Sequence, residues 1–461
     1  MRLCFPIASV LVLSLVACGG SVDSAPAPTP GPGGDTGDTD SGATTDTFVD
    51  PDTGAPETTV EDTGGPEVDN GAPSSTYPAP HPAFPVLTNA AGGETLKTPK
   101  VYLTYYPSYE FATQVQTFAK TIGATKYWSS AVSEYGVGPI TYVGTKELTG
   151  ETAPATIDDK AIETFFATKI AAGAFGTPDP GTIYTIFFPR STKITLAGGL
   201  GGPSESCTTF GGYHSDVAVT VGGTTANYAF AVLPTCPSFA GLGAIDALTG
   251  SLSHEWAEAA TDPFPSTNNG GDSTYSGVDN EHVIWNVLGG AENGDLCAQR
   301  PEAFFKSESG FDFVVQSCWS NAAAKKGGDP CIPKFPGVYF NAAPVVSDRV
   351  VLDLSAIGGG SVRTLGVKIA KGETKTIEID LFSDADTKGP FKVTALDAIQ
   401  QFTKGAPSMS FAWDRTSGVN GEKLHLSVTV TGGSPFGKAH PIILASTLGR
   451  VTQTWPFLVS E

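Results

Sequence analysis

The sequence predicts an α+β domain followed by an antiparallel β-sandwich, and three observations carry that prediction. Strand-like and helix-like stretches alternate between residues 100 and 261, about eight short apolar runs follow residue 335, and glycine and proline are abundant, at 55 and 35 of 461 residues. A hydrophobic content of 40% supplies a core. The net charge of −20 argues against a nucleic-acid partner, whose phosphate backbone calls for a basic face.

The N-terminal stretch reads as a targeting segment. Arg2 is a short basic start, and Phe5 to Val16 is an apolar run too short for a membrane span. It ends in Leu15-Val16-Ala17-Cys18-Gly19, which resembles a bacterial lipoprotein signal, cleaved before a cysteine that is then lipidated. Residues 1–17 are therefore read as signal peptide and Cys18 as the lipidation site. Gly19 in place of Asp favours sorting to the outer membrane. The expected location is the bacterial outer membrane, lipid-anchored, on its periplasmic or outer face. Residues 18–78 are read as a disordered acidic linker. They are mostly Pro, Gly, Thr, Asp and Ser, too poor in large apolar side chains to offset ordering entropy. Residues 19–80 hold twelve acids and no Lys or Arg, leaving about −8 for the rest. A coil of this length spans roughly 40–45 Å.

Of the 7 cysteines, five remain once Cys4 is removed and Cys18 lipidated: Cys207, Cys236, Cys297, Cys318 and Cys331. Export permits disulfides. Cys207–Cys236 is the preferred pair, with Cys297 taking Cys318 or Cys331. The odd count leaves one thiol over. No CxxC occurs, so a thiolate zinc site is not expected.

Residues 79–334 read as the α/β domain. Lys100 to Tyr106 alternates as a strand. Glu110 to Gly136 reads as two helices broken near Gly123. Ile140 to Leu148 is a strand, and Asp158 to Ala172 a helix with an acidic first turn. Thr182 to Phe188 is a buried strand, and Val217 to Val221 and Tyr228 to Leu233 are further strands. A long helix follows, about Leu242 to Thr261. Ile245, Leu248, Leu252, Trp256 and Ala259 form its apolar stripe. Asp262-Pro263 ends it, since a residue before proline disfavours helical geometry. Then come a Gly/Asn/Ser loop (265–277), an apolar run from Val283 to Val287 with His282 on a strand edge, the Glu292–Cys297 turn, and a strand from Phe311 to Gln316.

Residues 335–461 read as an Ig-like β-sandwich. Its runs are Val350–Leu354, Ser361–Ile369, Thr374–Leu381, Phe391–Ala395, Met409–Trp413, Leu424–Val430, Pro441–Ser446 and Thr452–Val459. His425 and His440 lie in this part, away from acids in sequence.

The chemistry concentrates in His254-Glu255-Trp256-Ala257-Glu258-Ala259-Ala260-Thr261-Asp262. His254, Glu258 and Asp262 are four apart and share one helix stripe. His-Glu-x-x-Glu resembles the His-Glu-x-x-His of zinc peptidases, which suggests a zincin-like fold or a related α/β sandwich. Residues i and i+4 of one helix can grip the same ion, while i+1 sits beside it and acts on bound water. His254 and Glu258 are the expected ligands and Glu255 the catalytic base. Glu292 and Asp295 are the further metal-ligand candidates, followed by His214 and Asp262. Zinc is the first cofactor candidate. A second carboxylate hardens the set, so calcium is the alternative, and manganese also competes. The bland reading is that Glu255 and Glu258 are solvated helix charges, His254 an interior histidine, and Asp295 the head of an Asx turn. No Gly-x-Ser-x-Gly elbow and no phosphate loop is present.

Several segments together resemble the phosphate-induced protein family, also called EXORDIUM-like, of plant walls and various bacteria. They are the Val101–Tyr106 strand, Gly212-Tyr213-His214, Cys236-Pro237, His254-Glu255 with Glu258 and Asp262-Pro263, Glu292-x-Gly294-Asp295-x-Cys297, and Val314-Val315-Gln316. They cover about residues 97–320. The resemblance implies an exported protein with Cys-stapled loops, no settled reaction, and one module uniting the helix stripe with the Glu–Asp turn. The functional expectation is a surface lipoprotein with a metal-dependent, peptidase-like hydrolase module. The alternative is a non-catalytic surface binding or adhesion protein. Its partners would be the membrane, through the lipid, and a polypeptide or cell-surface glycan.

Overall fold

Thr182–Phe188 is buried at every residue, and this follows from where it lies. It sits at the centre of a five-stranded sheet in the order Thr141–Glu147, Lys100–Tyr105, Thr182–Phe188, Thr224–Pro234, Tyr213–Val221. The first four strands pair in parallel. The last is an antiparallel edge strand joined to its neighbour by a tight hairpin. Parallel strands covered on both faces read as continuous apolar runs, as this one does.

The computed structural model describes residues 69–199, 202–266, 273–357, 359–402 and 406–461. The signal segment, Cys18, nearly all of the acidic linker and residues 267–272 of the loop after Pro263 lie outside the described residues. Residues Asn70–Glu461 pack as one compact unit. No described helix is long and apolar enough to cross a membrane.

Helices cover both faces of the sheet. α1 (Ala112–Thr121), α2 (Lys126–Val132) and α4 (Ala244–Thr261) share one core with Val101, Leu103, Ile183, Phe187, Ala229 and Leu233. α3 (Asp159–Ala171) packs on the opposite face against Ile186, Phe188, Phe230 and Val232. Alternate strand residues point to opposite faces, so one strand feeds both cores. Local signals set the helix starts. The Asp158 side chain accepts the Ala161 N–H at 2.8 Å, and the Thr125 side chain accepts the Trp128 N–H at 3.1 Å. α4 buries Leu248, Leu252, Trp256 and Ala259 of the expected stripe, with Ile245 partly buried, and its Trp256 indole donates to Thr185 Oγ1 at 2.9 Å.

The C-terminal region is β-rich. One sheet runs Phe340–Pro344, Thr374–Ser383, Lys423–Val430, Met409–Trp413, all antiparallel. The other runs Asp348–Asp353, Ser361–Lys368, Val451–Ser460, Ala439–Leu448, Phe391–Asp397, Ser417–Gly418. All eight expected runs are strands. Two strands went unread, Phe340–Pro344 and Ser417–Gly418. One pairing departs from antiparallel: Val367 and Lys368 run parallel to Val459 and Ser460.

The same apolar core that joins these sheets also takes in Phe84, Leu87, Trp285 and Trp319. The chain reaches it through residues 70–87, part of which was expected to be linker. Asn420 holds this segment by donating to the Ser74 and Thr76 carbonyls at 3.0 and 2.9 Å and accepting from Ala79 N–H at 2.9 Å. His81 stacks on Phe382 with ring centroids 3.6 Å apart. Leu87 then bridges to Val278.

Three local expectations need correction. His282 is not on a strand edge. It precedes a helix, Ile284–Gly289, and its Nδ1 lies 2.8 Å from Asp279 Oδ1. Of Phe311–Gln316 only Val315–Gln316 pairs, with Phe304–Phe305. His425 and His440 do meet acids, brought by neighbouring chain: Asp414 Oδ2 at 2.8 Å and Glu461 Oε1 at 3.3 Å.

Candidate metal centre

α4 carries His254, Glu255 and Glu258 on the side away from its packing stripe. Two small buried residues, Ala247 and Ser251, lie on that same side. Two glycines let other chain segments come close. A Cβ at Gly212 would lie 2.9 Å from Glu255 Oε1, and one at Gly294 would lie 2.7 Å from His254 Nδ1 and 2.8 Å from Glu258 Oε1. These glycines bring in the residues that follow them, Tyr213-His214 on the sheet edge and Asp295 on the Glu292–Cys297 turn.

His254 Nε2 lies 3.0 Å from Glu258 Oε2, 3.7 Å from Asp295 Oδ1 and 3.9 Å from Glu255 Oε1. His214 Nδ1 lies 3.6 Å from Glu255 Oε2 and 3.6 Å from Glu258 Oε2. Glu292 does not join the His254–Glu258 pair. Its Oε1 lies 3.7 Å from His214 Nε2, on the outer side of that ring. Asp262 leaves the stripe as the helix ends, with φ −136° and ψ 73°. Its carboxylate accepts from Thr274 N–H at 2.6 Å and Ser273 Oγ at 3.0 Å, while its backbone carbonyl lies 3.2 Å from His214 Nε2.

The site is buried, with His254 8%, Glu255 4%, Glu258 2% and Glu292 7% exposed. In the described ion pairs the partners of Glu255, Glu258, Glu292 and Asp295 are the two histidines alone. Burial opposes charge on His254, but Glu258 and Glu255 outweigh it and raise its pKa to about 10. Against the same burial, Glu292, Glu255 and Glu258 hold His214 well above its ordinary value. Burial pushes the Glu255 and Glu292 carboxyls up, and Asp295 up to about 7. Burial acts likewise on Glu258, yet His254 and His214 bring it below the ordinary carboxylate range. Asp216 lies close by in charge terms, pushed up to about 7 by burial, and accepts from Ser266 N–H at 2.7 Å.

The sequence places Gln316 at the end of a strand and in one of the family-like segments, and neither placement gives its role at the site. Its Oε1 lies 3.0 Å from His254 Nδ1, and its Nε2 donates to the Gly294 carbonyl at 2.7 Å. A glutamine among apolar residues was the available signal. The structure pairs Cys207 with Cys236 and Cys297 with Cys331, so Cys318 is free and buried. The second bridge anchors the turn that carries Asp295. Burial raises the Cys318 thiol to about 12.

No protein-family model matches the sequence, and no curated protein matches it. Among solved structures, the chain is similar to the BIgI domain of beta protein from S. agalactiae, bound there to CEACAM1. The identity is 10% and the TM-score 0.15, across 26% of this chain and 95% of that one.

Proposed function

We propose that the chain is a surface lipoprotein whose α/β part is a metal-dependent hydrolase of peptidase type. One observation carries this reading: His254 Nε2, Glu258 Oε2 and Asp295 Oδ1 converge from a helix and a distant turn. One nitrogen and two carboxylate oxygens suit zinc, with calcium as the alternative. A bound ion supplies Lewis acidity and lowers the pKa of a bound water. Glu255 follows His254 in the motif, and its Oε1 stays within 3.9 Å of His254 Nε2, the place for a group that takes a proton from that water. The motif helix packs on a mostly parallel sheet with an antiparallel edge, which supports the zincin-like reading. The C-terminal sheets support an Ig-like one.

The second reading, a non-catalytic surface binding protein, is favoured by how closed the cluster is, since a structural ion sits in such a site. Metal analysis and hydrolysis of a denatured protein by the full chain separate the two. Bound metal with hydrolysis, both lost in His254→Ala, supports the enzyme. Bound metal without hydrolysis supports the structural ion, and a metal-free chain defeats both forms of the metal reading. The lipid anchor is tested separately: Cys18→Ser should move the chain from membranes to the soluble fraction, and unchanged partition would refute it.

A further inference from the structure

The two histidines are held from outside in the same way. Gln316 Nε2 donates to Gly294, so its Oε1 faces His254 Nδ1 and accepts that ring's N–H at 3.0 Å. The Asp262 carbonyl, which can only accept, lies 3.2 Å from His214 Nε2. In the neutral rings each outer nitrogen thus carries the hydrogen, and each inner nitrogen presents a lone pair. The carboxylates are held likewise. Glu258 Oε1 accepts Asp295 N–H at 2.9 Å, and Asp295 Oδ2 accepts Ala291 N–H at 3.1 Å, so Oε2 and Oδ1 face inward.

The inner donors form two groups, His254–Glu258–Asp295 and His214–Glu255–Glu258, each within 4.8 Å, with Glu258 in common. The 3.6 Å from His214 Nδ1 to each of two oxygens exceeds hydrogen-bond reach. Donors about 2.1 Å from one ion lie about 3.0 Å apart across a right angle and about 3.4 Å across a tetrahedral one. The separations from the histidine nitrogens, 3.0 and 3.7 Å in the first group and 3.6 Å twice in the second, fall at or a few tenths of an ångström beyond that range. A buried lone pair facing anionic oxygens is repulsive unless a cation or proton lies between them. With His214 neutral, one divalent ion leaves the three carboxylates one charge short, and a second ion beside His214 supplies it.

We infer that the cluster is a two-ion centre. A second divalent ion, of the zinc or manganese class, lies between His214 Nδ1, Glu255 Oε2 and Glu258 Oε2. Glu258 Oε2 bridges it to the ion of His254 and Asp295. Imidazole in each set favours these ions over calcium, which takes oxygen ligands. Glu255 binds through Oε2 and keeps Oε1 on the first-ion side. Ions that share an oxygen in such centres lie about 3.5–4 Å apart, and they clamp a reacting group from both sides. This inference rests on the metal reading above and extends it.

The test strips the full chain with chelator and titrates it with Zn2+, then with Mn2+. Two ions per chain are expected, and the manganese form should show an exchange-coupled electron paramagnetic resonance signal. His214→Ala should hold one ion with an uncoupled signal, and Glu258→Ala should weaken both sites at least 10-fold. One ion per chain that His214→Ala leaves in place overturns the second site and leaves the first standing. No bound ion overturns both. The stoichiometry and spin coupling of the unmodified chain decide the matter even if a variant misfolds.

Discussion

Gln316 shows how much one uncharged side chain controls. It is 1% exposed, and it fixes both the ring of His254 and the carbonyl of Gly294. A partner of this kind sets the tautomer of a metal-binding histidine. Gln316→Leu keeps the size and removes both bonds. It should weaken metal affinity about 10–100-fold, read by competition with a chelator. Unchanged affinity would mean that His254 does not ligate. The residues that join α4 were only partly legible. His254 and Glu258 declare themselves by spacing on one helix. Asp295 and Glu292 sat in one turn, and nothing in their order told which would face His254. His214 looked like an isolated histidine because its acids come from a helix forty residues later.

At the scale of elements, α4 couples the site to the sheet. Its packing face buries Trp256 completely, and the indole reaches Thr185 on the central strand. Trp256→Ala should cost about 3–5 kcal/mol in chemical denaturation of the full chain. A loss under 1 kcal/mol would show that the helix does not depend on this contact. This face was legible because apolar residues recur at helical period. The C-terminal strands were legible as short apolar runs with turns between them. Short ladders were not. Val315–Gln316 and Ser417–Gly418 pair over two residues each, too few to carry a periodicity. The histidine pairs of the β-rich region also escaped, since Asp414 and Glu461 meet them across strands and at the chain end.

Across the whole molecule, residues 70–87 run over the C-terminal sheets before the chain enters the α/β sheet. The segment has no periodic pattern, so composition placed its first part in the linker. Side chains far along the sequence order it instead. Asn420, 3% exposed, serves four backbone groups, those of Ser74, Thr76, Ala79 and Ser383. Asn420→Ala strands buried donors and should cost roughly 2–4 kcal/mol. It should also speed protease cleavage between residues 70 and 80, read by mass spectrometry of early fragments. Cleavage at the unmodified rate would show that Asn420 does not hold the segment.

That long-range clasp bears on the order in which the protein is made. Ala79 and Asn420 are 341 residues apart, so this hydrogen bond cannot form until nearly the whole chain is synthesised. The α/β sheet can assemble from its own neighbours, but its leading segment stays unclasped until then. Folding cannot finish from the front, and a chain truncated before residue 420 lacks the side chain that holds Ser74, Thr76 and Ala79.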